Sequence, residues 1–275
     1  MGQDKKRNEM ARIGLVAGEG KIPIVFSRVA KDKGDTVIAF GLKGITSPEL
    51  EKCVDKMHWI PWGSLQKALL LLVTERIKKI IMLGKIKKDM IFNTAEDLDQ
   101  DAKKMMEKIK DKKDYAILNA INDILAKFGV EVLDSTTYLK DLIPSRGVIT
   151  KRKPSEEEMS DINYGKEVAK KLSGFDIGQT IVVKEKTVIA IEAVEGTDET
   201  IARSGKFVSG FVAIKVARPD QDMRFDVPLV GLDTIKTLAA SGGEVLALEA
   251  DKTLLIDRDE IIKFSDENGI SIVII

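Results

Sequence analysis

Short apolar runs alternate with helical stretches of roughly 10–15 residues through the first half of the chain, and that alternation admits few folds. Arg12-Ile13-Gly14-Leu15-Val16-Ala17, Thr36-Val37-Ile38-Ala39-Phe40, Lys79-Ile80-Ile81-Met82-Leu83-Gly84 and Val130-Glu131-Val132-Leu133 read as buried strands. Helices are expected to open at Ile22 and to cover 47–56, 63–76, 97–110 and 114–128. Buried strands joined by helices cannot pair as hairpins, so they predict a parallel sheet wound with helices on both faces. Pro23 fits the first helical turn, where its missing N–H costs nothing. Ser47 followed by Pro48 is an expected helix cap.

From 136 to 155 the pattern breaks at Pro144, Gly147 and Pro154, around the basic run Lys151-Arg152-Lys153. The chain is therefore read as an extension over 1–10, a parallel-sheet domain over 11–143, a linker over 144–154 and a second α/β domain over 155–275. Ser155-Glu156-Glu157-Glu158 is a capping box opening a helix. Thr180–Val183 and Thr187–Ile191 pair across Lys184-Glu185-Lys186 as a hairpin. Phe211–Lys215, strands near 244–248 and 253–256, helices over 231–241 and 257–268, and a strand over 270–275 complete the half.

Composition excludes several functions. The chain of 275 residues balances 44 basic against 44 acidic residues. No long one-sign block marks a nucleic-acid-binding tail, so nucleic acid is not expected as a partner. One cysteine, Cys53, and one histidine, His58, exclude a disulfide framework and a Cys/His metal site, and both read as structural. The apolar run over 67–73 is too short to span a bilayer, and the first ten residues lack the apolar core of a signal peptide, so a cytoplasmic protein is expected.

Three constellations could carry chemistry. Gly18 and Gly20 lie between the first strand and helix, where backbone N–H groups can approach a phosphate. Pro23 replaces the third glycine of a dinucleotide fingerprint, and Phe40-Gly41-Leu42 lacks the acidic residue for a ribose, which disfavours NAD. The loop is then either a phosphate contact, with Lys21, Gly84 and Lys85, or a plain tight turn. The second is Glu192-Ala193-Val194-Glu195-Gly196-Thr197-Asp198, at the mouth of an apolar strand, with Thr197 able to cap the next helix. The third runs from Lys215 through Arg218 and Asp222-Met223-Arg224-Phe225-Asp226-Val227-Pro228 to Thr234, where Gly231-Leu232-Asp233-Thr234 opens a helix whose N-terminus could face an anion. Read as extended, Asp222, Arg224 and Asp226 share one face, with successive charges spaced about 7 Å apart along the strand. That suits Mg²⁺ with a phosphate, and equally a salt-bridged edge strand.

Ala17-Gly18-Glu19-Gly20-Lys21-Ile22-Pro23, Asp176-Ile177-Gly178-Gln179, Glu192–Asp198 and Arg224-Phe225-Asp226-Val227-Pro228 together resemble the LpxI type of UDP-2,3-diacylglucosamine pyrophosphatase, from about residue 11 onward. The resemblance implies a Mg²⁺-dependent hydrolase of lipid A biosynthesis that yields 2,3-diacylglucosamine 1-phosphate and UMP, built from an N-terminal Rossmann-like domain and a distinct C-terminal α/β catalytic domain. It implies Asp226, Arg224 and Lys215 as catalytic residues. Gly18, Gly20, Lys21, Gly84, Lys85, Gln179, Gly196 and Thr197 would bind substrate, and Asp226, Glu192, Glu195, Asp198 and Asp222 would hold Mg²⁺. The family more often carries a smaller residue at Lys21 and Asn at Lys85. Transient contact with the inner membrane surface and a homodimer complete the expectation. The alternatives are hydrolysis of another nucleotide-sugar diphosphate, or a non-catalytic nucleotide- or lipid-binding module.

Overall fold

The computed structural model describes residues 10–86, 98–109, 114–175, 177–225 and 227–275. The expected extension over 1–10 lies outside them except for Met10. The chain divides into two compact units: one comprises Met1–Tyr138 with Met223–Phe225, the other Leu139–Asp222 with Asp226–Ile275.

In the first unit, β1 (Arg12–Ala17), β2 (Thr36–Leu42), β3 (Lys56–Ile60), β4 (Lys79–Leu83) and β5 (Glu131–Val132) form one sheet in the order β3-β2-β1-β4-β5. Every neighbouring pair is parallel, with Gly14 opposite Ile38 on one side and Ile80 on the other. Helices α1 (Ile22–Asp32), α2 (Leu65–Thr74), α3 (Gln100–Lys108) and α4 (Asp114–Lys127) connect the strands. The apolar runs are buried as expected: Ile38, Phe40, Ile80 and Val132 meet Leu69, Leu72 and Leu125 in one core. Strand order reverses beside β1, so the loops after β1 and β4 border the sheet's switch point.

One expectation changes here. The helix expected over 47–56 is a 3₁₀ turn, Pro48–Cys53, whose Ser47 Oγ accepts from the Glu49 N–H at 3.3 Å. It stops because β3 begins at Lys56, and because Asp55 accepts from the Val37 N–H at 2.8 Å. His58, on β3, is structural: its Nε2 lies 2.8 Å from the Glu75 carboxylate, which also pairs with Arg12 and Lys56.

The second unit holds a mixed sheet of β6 (Gly147–Val148), β7 (Thr180–Lys184), β8 (Thr187–Ile191), β9 (Phe211–Lys215), β11 (Gly243–Leu248) and β13 (Ser271–Ile274), ordered β6-β13-β11-β9-β7-β8. β9, β11 and β13 run parallel, while β7 and β6 run against them. A small parallel pair joins β10 (Leu229–Val230) to β12 (Leu254–Leu255). Alternation splits the core. Val212 and Ile214 face Ile162 and Ala169 of α5 (Glu156–Ser173). Phe211 and Ala213 face the layer of α6 (Thr197–Ser204), α7 (Leu232–Ala240) and α8 (Arg258–Glu267). Lys215 continues that second alternation at the end of β9.

The capping box at Ser155 and Glu158 is formed, and so is the β7–β8 hairpin. The segment expected as a linker over 144–154 is not one throughout, because Gly147–Val148 pairs antiparallel with β13 as the sheet's edge strand. The strand expected through Asp222–Asp226 is also absent among the described residues. Met223–Phe225 form a turn instead. Ser135 captures that turn: its N–H donates to the Met223 carbonyl at 2.9 Å, and its Oγ lies 2.8 Å from the Arg224 carbonyl. Phe225 packs against the core of the first unit. Asp222 and Arg224 therefore do not share a strand face.

Candidate functional site

The first unit's switch-point loops are bound to each other. The Gly18 N–H donates to the Leu83 carbonyl at 2.8 Å, while Glu19 and Lys85 exchange two N–H···O=C bonds of 2.9 Å. A Cβ on Gly84 would lie 2.7 Å from the Gly18 carbonyl carbon, and Gly84 has φ +100°. A Cβ on Gly18 would lie 2.8 Å from the Lys85 carbonyl oxygen. These glycines are explained by close approach of two backbones, the tight-turn reading, and the N–H groups of Gly18, Glu19 and Lys85 are engaged by main-chain oxygens. Gly20, with φ +104°, has open space around it, and Lys21 precedes α1. That leaves the start of α1 as the part of this loop able to meet an anion.

The second unit's sheet builds a side-chain cluster at its carboxyl edge. Lys215 ends β9, Glu192 follows β8, and Thr197 is the first residue of α6. Thr180 begins β7 directly opposite Lys215 in the ladder. Lys215 is 7% exposed, and its Nζ donates to Thr197 Oγ1 at 2.8 Å and to Thr180 Oγ1 at 3.5 Å. Thr197 Oγ1 in turn donates to Glu192 Oε1 at 3.0 Å. The Gln179 N–H donates to Glu192 Oε2 at 3.3 Å. Gly178 permits this, since a Cβ there would sit 2.0 Å from the Glu192 carbonyl oxygen. Burial pushes the Glu192 carboxyl up. The charge of Lys215 and the hydrogen bonds from Thr180, Thr197 and Gln179 outweigh that and hold it below the usual carboxylate range.

Gly196, with φ +86°, is the residue that caps α6, so Thr197 does not act as the cap and its hydroxyl is turned to Lys215 and Glu192. Asp198 Oδ1 accepts from Thr234 Oγ1 at 2.7 Å, joining the first turns of α6 and α7. Glu195 is engaged differently: Arg203 pairs with it at 3.0 Å and Thr200 donates at 3.2 Å. Arg203 also reaches the Ile191 carbonyl.

Among the described residues, the expected Mg²⁺ ligands Glu192, Glu195 and Asp198 do not share one set of partners. No group of three or more His, Cys, Asp or Glu suited to a metal occurs among the described residues. Asp222 lies in the loop after β9, and Asp226 lies outside the described residues. Arg224 belongs to the first unit rather than to that of Lys215, and its guanidinium lies 4.8 Å from the Phe225 ring centroid. Of the expected residues, Gln179, Glu192, Thr197 and Lys215 are brought together. Sequence reading missed Thr180, because it enters only through pairing of distant segments.

What the cluster offers is a buried positive charge, two hydroxyls and a helix N-terminus at one sheet edge, with a carboxylate balancing the charge. Such donors suit a phosphate or a developing oxyanion. Two family models match the chain: LpxI N-terminal domain over residues 12–142, and LpxI C-terminal domain over 145–273. A curated relative, UDP-2,3-diacylglucosamine pyrophosphatase LpxI of Caulobacter vibrioides, is 27% identical over 276 residues, covering 96% of this chain and 97% of that one. Among solved structures, the biotin carboxylase domain of Hydrogenobacter thermophilus 2-oxoglutarate carboxylase is 13% identical. It covers 72% of this chain and 41% of its own, with a TM-score of 0.29. Biotin carboxylase of Campylobacter jejuni is 12% identical over 72% of this chain and 42% of that one, with a TM-score of 0.28. The chain thus spans less than half of either structure.

Proposed function

Since the chain belongs to the LpxI family, its two domain models together spanning 12–273, we propose that it hydrolyses the pyrophosphate of UDP-2,3-diacylglucosamine to 2,3-diacylglucosamine 1-phosphate and UMP in lipid A biosynthesis. The observation that carries this reading is the buried Lys215 ammonium, bonded to the hydroxyls of Thr197 at the start of α6 and Thr180 at the start of β7. A pyrophosphate diester resists attack because its oxygens are charged. A desolvated cation stabilises the charge that builds on the leaving oxygen. Glu192 keeps Lys215 balanced until substrate oxygens arrive and orients the Thr197 hydroxyl in the meantime. The same reading places the reaction in the cytoplasm, in contact with the inner membrane surface where a diacylated substrate resides.

Mg²⁺ dependence belongs to this proposal. The described carboxylates do not form a shared cation site, so no step is assigned to them through the ion. Bound to the substrate's own phosphate oxygens, Mg²⁺ would supply further charge neutralisation. Asp226 stands in the Arg-x-Asp-x-Pro segment of the resemblance and is proposed as catalytic on that ground. The test is incubation with UDP-2,3-diacylglucosamine with and without Mg²⁺, following UMP release. UMP formed only with Mg²⁺ is the expected result. Turnover of UDP-sugars lacking acyl chains would replace this substrate, and binding without turnover would replace the enzyme with a binding module.

A further inference from the structure

β11 carries a carboxylate at each end of its path, and the two are used differently. At the amino end, Glu244 pairs with Arg152 at 2.9 Å, and Arg152 pairs also with Glu158 at 2.6 Å. Just past the carboxyl end, Glu249 pairs with Lys170 of α5 at 2.7 Å, and its side chain is only 16% exposed. That second pair closes on a peptide. Glu249 Oε2 accepts the Ala217 N–H at 2.7 Å, and Lys170 Nζ donates to the Ala217 carbonyl at 2.9 Å. The Glu249 N–H donates to the Lys215 carbonyl at 3.1 Å. Ala217 is fully buried, two residues beyond Lys215 and one before Arg218.

We infer that Lys170 and Glu249 are positioning residues for the reaction: they clamp the Ala217 peptide and so fix both Lys215 and the departure of the 218–222 segment. A buried N–H and C=O must find partners, and ladder bonds would meet that need with neutral groups. Here one ion pair takes both polar groups of a single residue, where the sheet ends and the charged cluster begins. Charge-assisted bonds are shorter and stiffer than neutral ones, and a misplacement of about 1 Å can cost a reaction on the order of 10²-fold. Neither side chain bonds to Thr197, Thr180 or Glu192 in the interactions described above, so any effect on turnover acts through Lys215 and the segment after Ala217.

This inference rests on the proposed hydrolysis, and its test separates the two. Lys170→Met, Glu249→Ala, the conservative Lys170→Arg and the control Arg152→Ala are compared in the full chain. Steady-state kinetics use UDP-2,3-diacylglucosamine with Mg²⁺, alongside melting temperature and amide hydrogen exchange over 216–222. Lys170→Met and Glu249→Ala are expected to lower kcat by about tenfold or more with KM within about threefold, and to speed exchange over 216–222. Lys170→Arg should recover most of the loss. Arg152→Ala should cost as much melting temperature, with kcat within about twofold. Unchanged exchange in Lys170→Met overturns the clamp. Faster exchange with kcat matching that of Arg152→Ala overturns its role in the reaction. An inactive wild type overturns the hydrolase reading, while the exchange result still decides whether the clamp exists.

Discussion

The loops leaving β1 and β4 in the first unit are tied by main-chain bonds, whereas the segments leaving β8 and β9 in the second are tied by side chains. Glu19 and Lys85 exchange N–H···O=C pairs of 2.9 Å, and glycine is required because the backbones nearly touch. At the other edge, Lys215, Thr197, Glu192 and Thr180 meet through ammonium, hydroxyl and carboxylate. An edge held by backbone tolerates changed side chains but no added Cβ. An edge held by side chains depends on each functional group, and its charges can re-pair with an incoming anion.

The contrast breaks most visibly at Lys215. Lys215→Met is expected to lower kcat by about 10²–10³-fold, the scale of losing one oxyanion stabiliser, measured as UMP release. Wild-type turnover would move the chemistry away from this edge. Next in size, Thr197→Val should cost about 10–100-fold in kcat/KM, since it removes a hydroxyl bonded to two charged groups, and Thr197→Ser should restore most of it. A Thr197→Val loss confined to stability would make the hydroxyl structural. Gly84→Ala probes the opposite edge: a Cβ forced to 2.7 Å from Gly18, at φ +100°, should destabilise the first unit by about 1–3 kcal/mol in urea denaturation. Its kcat should stay within about threefold at a temperature where the variant is folded. A rise in KM would reinstate the loop as a phosphate contact.

The smallest effect belongs to Glu75. The hydrogen bond from Lys56 leads the factors that lower its carboxyl, with His58 adding to it; burial opposes them, and the pKa falls from the ordinary 4.5 to about 2. Because the folded value is depressed, the stabilisation is complete above about 4.5 and is lost as pH falls toward 2. Glu75→Gln should therefore flatten the stability–pH curve in that window, followed by acid unfolding. An unchanged curve would show that Lys56 and His58 do not hold the carboxylate.

Much of the architecture was legible because it is local. Period-two and period-3.6 patterns placed the strands and helices, Ser155 with Glu158 announced α5, and apolar runs around three charged residues gave the β7–β8 hairpin. What failed was non-local. The Asp222–Asp226 stretch alternates like a strand, but Ser135, 89 residues away from Arg224, takes its carbonyls and bends it into a turn. The glycine loop stayed open between two readings, because a phosphate cradle and a backbone-to-backbone approach ask for the same residue. Lys215 and Glu192 were visible as charges at the ends of apolar strands. Their connection through Thr180 was not, because it depends on the β7–β9 register.

The excursion of Met223–Phe225 into the first unit has a consequence for dissection of the protein. Phe225 helps close that unit's core, and two carbonyls of the same turn satisfy Ser135. A fragment ending at Tyr138 would thus carry a notch in its interior and unfilled hydrogen-bonding capacity beside it. Expressed alone it should be weakened, and a short peptide bearing Met223-Arg224-Phe225 added in trans should bind and stabilise it. The two halves are separable as compact bodies but not as contiguous genetic modules.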